Sequence, residues 1–269
     1  PVVRARKFVA VSPDVKEGEP LAPAVHLFEK AVRMLHAIVV VACGVPFQPL
    51  FRQMEAAMAA RGAGILDAVF ADYRQQFVSQ LHKLGYKTGW HVWNASDFGV
   101  PQLRPRVVFV AIEQELYEHF SWPVPTDAKP PTVGETLYDL MEARGWKGAS
   151  SWRERANEIA PTIVGGSLKH GGPDLGPTRA KRAWSTLGVD GHGIWDEAPG
   201  PDFVGMPRLT VRMVARLQGF PDSWEFAGRK TPAYRQVGNA FPPPVAKAVA
   251  RQILACLQTR RLYAVKAAG

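Results

Sequence analysis

The sequence predicts an α/β fold followed by a smaller, irregular region, and three observations predict it. Ile38-Val39-Val40-Val41 and Arg106 to Ile112 are short, nearly continuous apolar runs of the kind that form buried strands. Between them Leu66, Val69, Phe70, Tyr73, Phe77 and Leu81 recur at spacings of three and four, the spacing of an amphipathic helix. Residues 145 to 207 then change character, with Trp146, Trp152, Trp184 and Trp195, many glycines and few long apolar runs.

Taken in order, Phe8 to Val11 reads as a strand and Ser12-Pro13-Asp14 as a turn. Met54 to Arg61 suits a short helix broken by Gly62-Ala63-Gly64. Ile65 to Leu84 is a stronger helix with Gly85 as its C-cap. Tyr86 to Trp93 is a strand, residues 94 to 101 a polar loop, and Arg106 to Ile112 the next strand. The proline-rich stretch Ser121 to Thr132 is a linker. Thr132 and Glu135 have capping-box spacing, and Thr136 to Ala143 continues that helix. Short strands and turns are expected over 145 to 207, with a tight or flexible loop at Gly165 to Gly172. Thr210 to Leu217 is a short helix ended by Gly219. After a polar Gly238-Asn239 turn, Pro244 to Leu257 is a helix led by proline.

Composition narrows the function. The 269 residues suffice for one sizeable domain or two modest ones. The apolar run Ala37 to Ala42 is far too short to span a membrane. Two cysteines, Cys43 and Cys256, make no disulfide scaffold, so a reducing, cytoplasmic setting is the default expectation. The chain opens without methionine, and no lysine-flanked leader is seen. The formal charge is +9, of which residues 201–269 carry +8, from 11 Lys/Arg and 3 Asp/Glu. A basic C-terminal segment attracts a polyanion, DNA or RNA first of all; a solvated basic surface is the plainer alternative.

Three motifs carry a resemblance. Phe98-Gly99-Val100-Pro101-Gln102-Leu103-Arg104-Pro105-Arg106 contains Gln-x-Arg-x-Arg. Arg208-Leu209-Thr210-Val211-Arg212 and Ala215 to Pro221 follow at a distance. Gln236-Val237-Gly238-Asn239-Ala240 with Pro243-Pro244-Val245-Ala246 closes the set. In order and spacing these resemble the eighth, ninth and tenth motifs of the DNA cytosine-5 methyltransferases, over roughly residues 64 to 257.

That resemblance implies methyl transfer from S-adenosylmethionine to carbon 5 of cytosine in duplex DNA. It implies a Rossmann-like methyltransferase fold with a smaller target-recognition domain. On that basis residues 1–63 are an atypical N-terminal segment and 64–130 the second part of the catalytic domain. Residues 131–233 are the recognition domain, and 234–269 return to the catalytic domain. The resemblance places Arg104 and Arg106 in the active pocket, where a guanidinium fork suits base or phosphate oxygens. Being two apart, they would share one side of an extended segment; an ion pair or sheet-edge role is the alternative. Gly238, Asn239 and Ala240 are expected beside the cofactor. Gln102, Lys169, His170, Arg179, Arg182, Arg208 and Arg212 are the expected DNA contacts. Gln102 could equally hold its loop, and Arg208 and Arg212 could equally serve the fold.

The front of the chain departs from the family. No Phe-x-Gly-x-Gly-type loop is seen, nor a Glu-Asn-Val motif. Gly44-Val45-Pro46-Phe47-Gln48 resembles the surroundings of the family's Pro-Cys-Gln, with Phe47 where the nucleophilic cysteine should stand. The fold is therefore expected to be incomplete. Three readings remain open: a split enzyme that acts with a complementary methyltransferase subunit, a catalytically inactive relative that binds DNA weakly, or a small structural α/β protein.

Overall fold

The computed structural model describes residues 66–165 and 172–267. The expected elements at Phe8 to Val11, Ile38 to Val41 and Met54 to Arg61, like Cys43 and Phe47, lie outside the described residues.

A short 3-10 turn, Ala68–Phe70, leads into helix α1 (Ala71–Lys83), which buries Phe77 and Leu81 one turn apart. Gly85, at φ 84°, turns the chain out of it, with its N–H on His82 O at 3.0 Å. Strand β1 (Tyr86–Asn94) then pairs antiparallel with β2 (Pro105–Glu113), in register from Tyr86 opposite Glu113 to Asn94 opposite Pro105. The alternation along β2 divides its side chains between two layers. Val108, Val110 and Ile112 point into one apolar cluster. Phe109 points the other way, its ring 5.3 Å from Phe77 of α1 and 4.3 Å from Trp90 of β1. Strand β2 is thus buried on both faces from Val108 to Ile112, which explains why that run reads as continuously apolar.

After helix α2 (Gln114–Tyr117), the proline-rich linker is latched to the hairpin loop by Thr126 N–H on Asp97 O at 2.9 Å. Helix α3 (Val133–Glu142) opens with the capping box its sequence predicts. Glu135 N–H donates to Thr132 Oγ1 at 3.1 Å, and Thr132 N–H to Glu135 Oε2 at 2.8 Å. Two more of its orphan amides are met by the chain beyond helix α4 (Ala149–Arg155): Val133 N–H by Glu158 O and Gly134 N–H by Ala156 O. A Cβ on Gly134 would stand 2.3 Å from Arg153 O, so only glycine permits this helix end to press on α4.

Residues 145–207 hold α4 and helix α5 (Thr178–Thr186) in place of the expected short strands. Isolated bridges, Gln102 with Ala160 and Trp195 with Thr210, are the only β pairing there among the described residues. Buried tryptophans fill this region from within, so aromatic packing replaces the ladder that periodic apolar strands would have built. Helix α6 (Val211–Leu217) is ended by Gly219, as expected, and Thr210, read from sequence as its first residue, is instead its cap.

Helix α7 (Lys230–Asn239) corrects the reading of Gly238-Asn239 as a turn: both residues are helical. The redirection falls at Ala240, whose backbone is extended, and at the prolines that open helix α8 (Pro243–Ala267). One core gathers α3 to α7, with Val133, Leu137, Trp152, Ile163, Trp184, Met213 and Val237 among its members, and ends at Ala240. The other gathers the hairpin, α2 and α8, and begins again at Phe241. Cys256 on α8 donates its thiol hydrogen to Leu116 O at 3.0 Å.

Replacing Thr132 by Ala removes the cap of α3 and should lower stability by roughly 1 kcal/mol. Urea unfolding of the two proteins checks this; an unchanged midpoint would show that the carbonyls of Ala156 and Glu158 hold the helix end alone.

Candidate functional site

Five polar residues are buried among the described residues. Thr132 and Thr210 are helix caps. The other three, Gln102, Arg104 and Gln218, form one network that draws the three sequence motifs together.

The hairpin loop presents the first two. Its N-terminal half is a 3-10 turn, Ala95–Phe98, closed by Asn94 N–H on Asp97 Oδ2 at 2.8 Å and by Gly99 at φ 75°. Its C-terminal half, residues 101–104, runs beside 160–163. Ala160 N–H bonds Pro101 O at 2.9 Å, Leu103 N–H bonds Ala160 O at 2.8 Å, and Thr162 Oγ1 donates to Leu103 O at 2.5 Å.

Gln102, with no exposed surface, uses both ends of its amide. Its Oε1 accepts from Ile163 N–H at 2.8 Å and from Arg104 Nη1 at 3.3 Å. Its Nε2 donates to Gln218 Oε1 at 3.0 Å and to Leu217 O at 3.2 Å. Gln218 Nε2 in turn donates to Val237 O at 3.1 Å. Arg104, 1% exposed, donates through Nη1 to Ile163 O as well. Through Nη2 it reaches Gly238 O at 2.7 Å and Ala240 O at 3.2 Å. Burial pushes its guanidinium down to about 9, and nearby Arg106 acts in the same direction, so it is still the cation at neutral pH. Tyr234 borders the network; its hydroxyl lies 2.8 Å from Val164 O and 2.6 Å from Asp174 O, and burial raises its pKa.

These positions correct several expectations. Gln102 is enclosed and holds the loop, so it offers nothing to DNA. Arg104 and Arg106 do not share their surroundings: Arg104 precedes β2 in irregular chain, where the two-residue alternation of a strand does not operate. Arg104 is a buried tie with both Nη atoms engaged, and is closed to a nucleotide. Arg208 bonds Asp190 through Nε at 2.7 Å. Burial alone would raise that carboxyl, but hydrogen bonds from Arg208 and His192 hold it down at about 2. Arg212 binds the loop after α6, with Nη2 on Trp224 O at 2.9 Å and Nη1 on Pro221 O at 3.4 Å. Both are thus tied within the fold at these atoms. Arg216, on the same helix, is held by Asp139 of α3 and by Asp222.

Arg106 is different. It is half-buried at the start of β2, opposite Trp93. Its Nη1 donates to Pro105 O at 2.7 Å, while its buried Nε, like that of Arg104, has no acceptor. Burial lowers its pKa to about 10, so it too remains charged at neutral pH. Arg179 and Arg182 lie exposed on α5. Lys169 and His170 fall outside the described residues.

Gly238 is small because it must be, though not for a turn. A Cβ there would lie 2.5 Å from Gly165 Cα, and one on Gly165 would lie 1.9 Å from Asn239 Oδ1. Helix α7 and the 163–165 segment therefore touch backbone to backbone. With Gly238 O and Ala240 O engaged by Arg104, and Ala240 N–H on Val237 O, Asn239 is the residue of the three that keeps a side-chain amide available.

No cluster of metal-ligating side chains exists among the described residues, and no helix there is long and apolar enough to cross a membrane.

The Gln-x-Arg-x-Arg loop of this mixed α/β protein is thus bound by Gln218 and by the Gly238 and Ala240 carbonyls, which brings the three sequence motifs to one place. The chain belongs to the C-5 cytosine-specific DNA methylase family, whose profile matches residues 63–255. Type II methyltransferase M.NaeI of Lentzea aerocolonigenes is 59% identical over 191 residues, which cover 70% of this chain and 46% of the relative. Type II methyltransferase M.NgoMIV of Neisseria gonorrhoeae is 48% identical over 204 residues, covering 72% and 62%. The chain thus spans about half to three fifths of these relatives' length. The solved S. pombe Dnmt2 methyltransferase aligns over 89% of each chain at 13% identity and a TM-score of 0.43.

Replacing Arg104 by Met strands the carbonyls of Ile163, Gly238 and Ala240 and should cost roughly 3 kcal/mol or more. Gly238→Ala forces apart a backbone contact and should destabilise in the same sense. Urea unfolding of both variants measures this; a loss below about 1 kcal/mol in each would show that the network is not needed for the fold.

Proposed function

We propose that this chain is the carboxyl part of a DNA cytosine-5 methyltransferase, and that it methylates duplex DNA only together with a segment bearing Pro-Cys-Gln. That segment belongs either to a longer form of the protein or to a complementary subunit. Family membership supports the chemistry. The observation within the chain that carries the reading is the division of labour in Gln-x-Arg-x-Arg: Gln102 and Arg104 are enclosed and spent on the loop, while Arg106 is half-exposed and bonds only the neighbouring Pro105 O.

The chemistry explains why such a residue is needed. Carbon 5 of cytosine is a poor nucleophile until a thiolate adds at carbon 6, and the base must leave the stack to be reached. S-adenosylmethionine supplies the methyl group when bound. Arg106 would donate to the carbonyl oxygen of the extruded base and hold it as charge develops on the ring. Arg104 would act through the loop, as a positioning residue that fixes where β2 begins. Asn239 would face the cofactor, because its amide is not consumed by the network. Arg179 and Arg182 would meet phosphates, positioning the duplex without reading its sequence. A cytoplasmic location agrees with DNA as substrate.

The competing reading, an inactive relative that binds DNA weakly, rests on Phe47 standing at the nearest match to the nucleophile. The two separate in one experiment. The purified chain with labelled S-adenosylmethionine and cytosine-containing duplex should transfer little or no label. Adding a family segment with Pro-Cys-Gln should restore transfer, and Arg106→Ala in that reconstituted enzyme should reduce it about 100-fold or more, as loss of a transition-state donor does. No transfer after reconstitution would favour the inactive relative. Robust labelling by the chain alone would overturn the need for the added segment.

A further inference from the structure

The cations between residues 208 and 239 that are half-buried are Arg208, Arg212, Arg216, Lys230 and Arg235. Four have partners: Arg208 holds Asp190, Arg212 holds two carbonyls, Arg216 holds Asp139 and Asp222, and Lys230 holds Asp196 at 2.7 Å. Arg235 alone has neither carboxylate nor carbonyl among the described residues.

Its place on α7 gives this meaning. Ala233, Tyr234, Val237 and Gly238 are the buried face of the helix. Thr231, Arg235 and Asn239 follow one another at i, i+4 and i+8 along the half-exposed side, a polar stripe about 12 Å long. The helix contains no acidic residue, so nothing on it competes for the guanidinium. The stripe is also rigidly placed. Gly238 is in backbone contact with Gly165, and Arg104 grips the helix end through Gly238 O and Ala240 O.

We propose that Arg235 is a DNA-backbone contact: its guanidinium binds a phosphate of the substrate duplex, with the Thr231 hydroxyl as a second donor one turn earlier. This rests on the reading of the chain as a DNA methyltransferase and adds a contact surface to it. The surface is a helix face tied directly to the loop that carries Arg106, so a duplex phosphate seated on α7 fixes the register of the DNA relative to that loop. Such a contact adds affinity without sequence preference.

The test is fluorescence-anisotropy titration of the full chain with labelled duplexes of two unrelated sequences, over a range of salt. Arg235→Ala and Arg235→Gln should weaken binding roughly three- to tenfold on both sequences and reduce the slope of log K against log salt by about 1. Arg235→Lys should restore most of the slope. Arg251→Ala removes the same charge from the exposed side of α8 and should change the slope less. Binding by the wild-type chain with an unchanged slope in Arg235→Ala and Arg235→Gln overturns the assignment and leaves the DNA reading standing. So does weakened S-adenosylmethionine binding with unaltered DNA affinity, which would make the anion the cofactor carboxylate. No duplex binding by the wild-type chain at low salt overturns the DNA reading and the assignment with it.

Discussion

A buried arginine without a carboxylate partner among the described residues sets the terms for the rest of this structure. Arg104 is 1% exposed, and its charge is solvated by the side-chain oxygen of Gln102 and the backbone oxygens of Ile163, Gly238 and Ala240. Taking a guanidinium out of water costs several kcal/mol, and no single carbonyl offsets that. A charge-assisted hydrogen bond returns about 1.5–3 kcal/mol, so the residue is tolerable only when several acceptors arrive together. Those acceptors lie on segments separated by as many as 136 positions in sequence. The cation therefore makes docking of the three segments close to all-or-none.

The two apolar cores meet at this point. The core of α3 to α7 ends at Ala240 and the core of the hairpin and α8 begins at Phe241. Without directional bonds, two greasy clusters joined by a few residues could settle at more than one angle. Gln218 removes that freedom by bridging Gln102 of the hairpin loop to Val237 of α7. Glycines make the close approaches possible. Gly238 meets Gly165, and Gly219, at φ 83°, would place a Cβ 2.7 Å from Pro244 Cδ at the start of α8. The polar network and the small residues thus act as one device: the first selects the geometry and the second permits it. Together they fix the loop from which β2 and Arg106 emerge.

Much of the local structure was legible. The Thr132-x-x-Glu135 box, the stops at Gly85 and Gly219, and the proline lead into α8 each depend on residues within a few positions of one another. The continuous apolar run of β2 was legible as a buried strand for the same reason. Helix α7 was not, because Gly238 and Asn239 are poor helix formers whose presence is explained only by a distant partner, Gly165. The helices and tryptophan packing of 145–207 were also missed, since short helices held by aromatic contacts leave little periodicity to read.

The site divides along the same line. From the sequence alone came the family, through three ordered motifs, and with it the expected reaction and cosubstrate and the candidate residues. Composition added the basic C-terminal segment, residues 201–269. Only the tertiary structure separated Arg104 from Arg106, enclosing the first and leaving the second half-open, and only it showed Arg208 and Arg212 already engaged while Arg235 is not. The reason is physical: a motif states which side chains are present, but the role of a charged one depends on which acceptors surround it. For these arginines the acceptors are backbone carbonyls and carboxylates, many of them far along the chain, whose positions are set by folding.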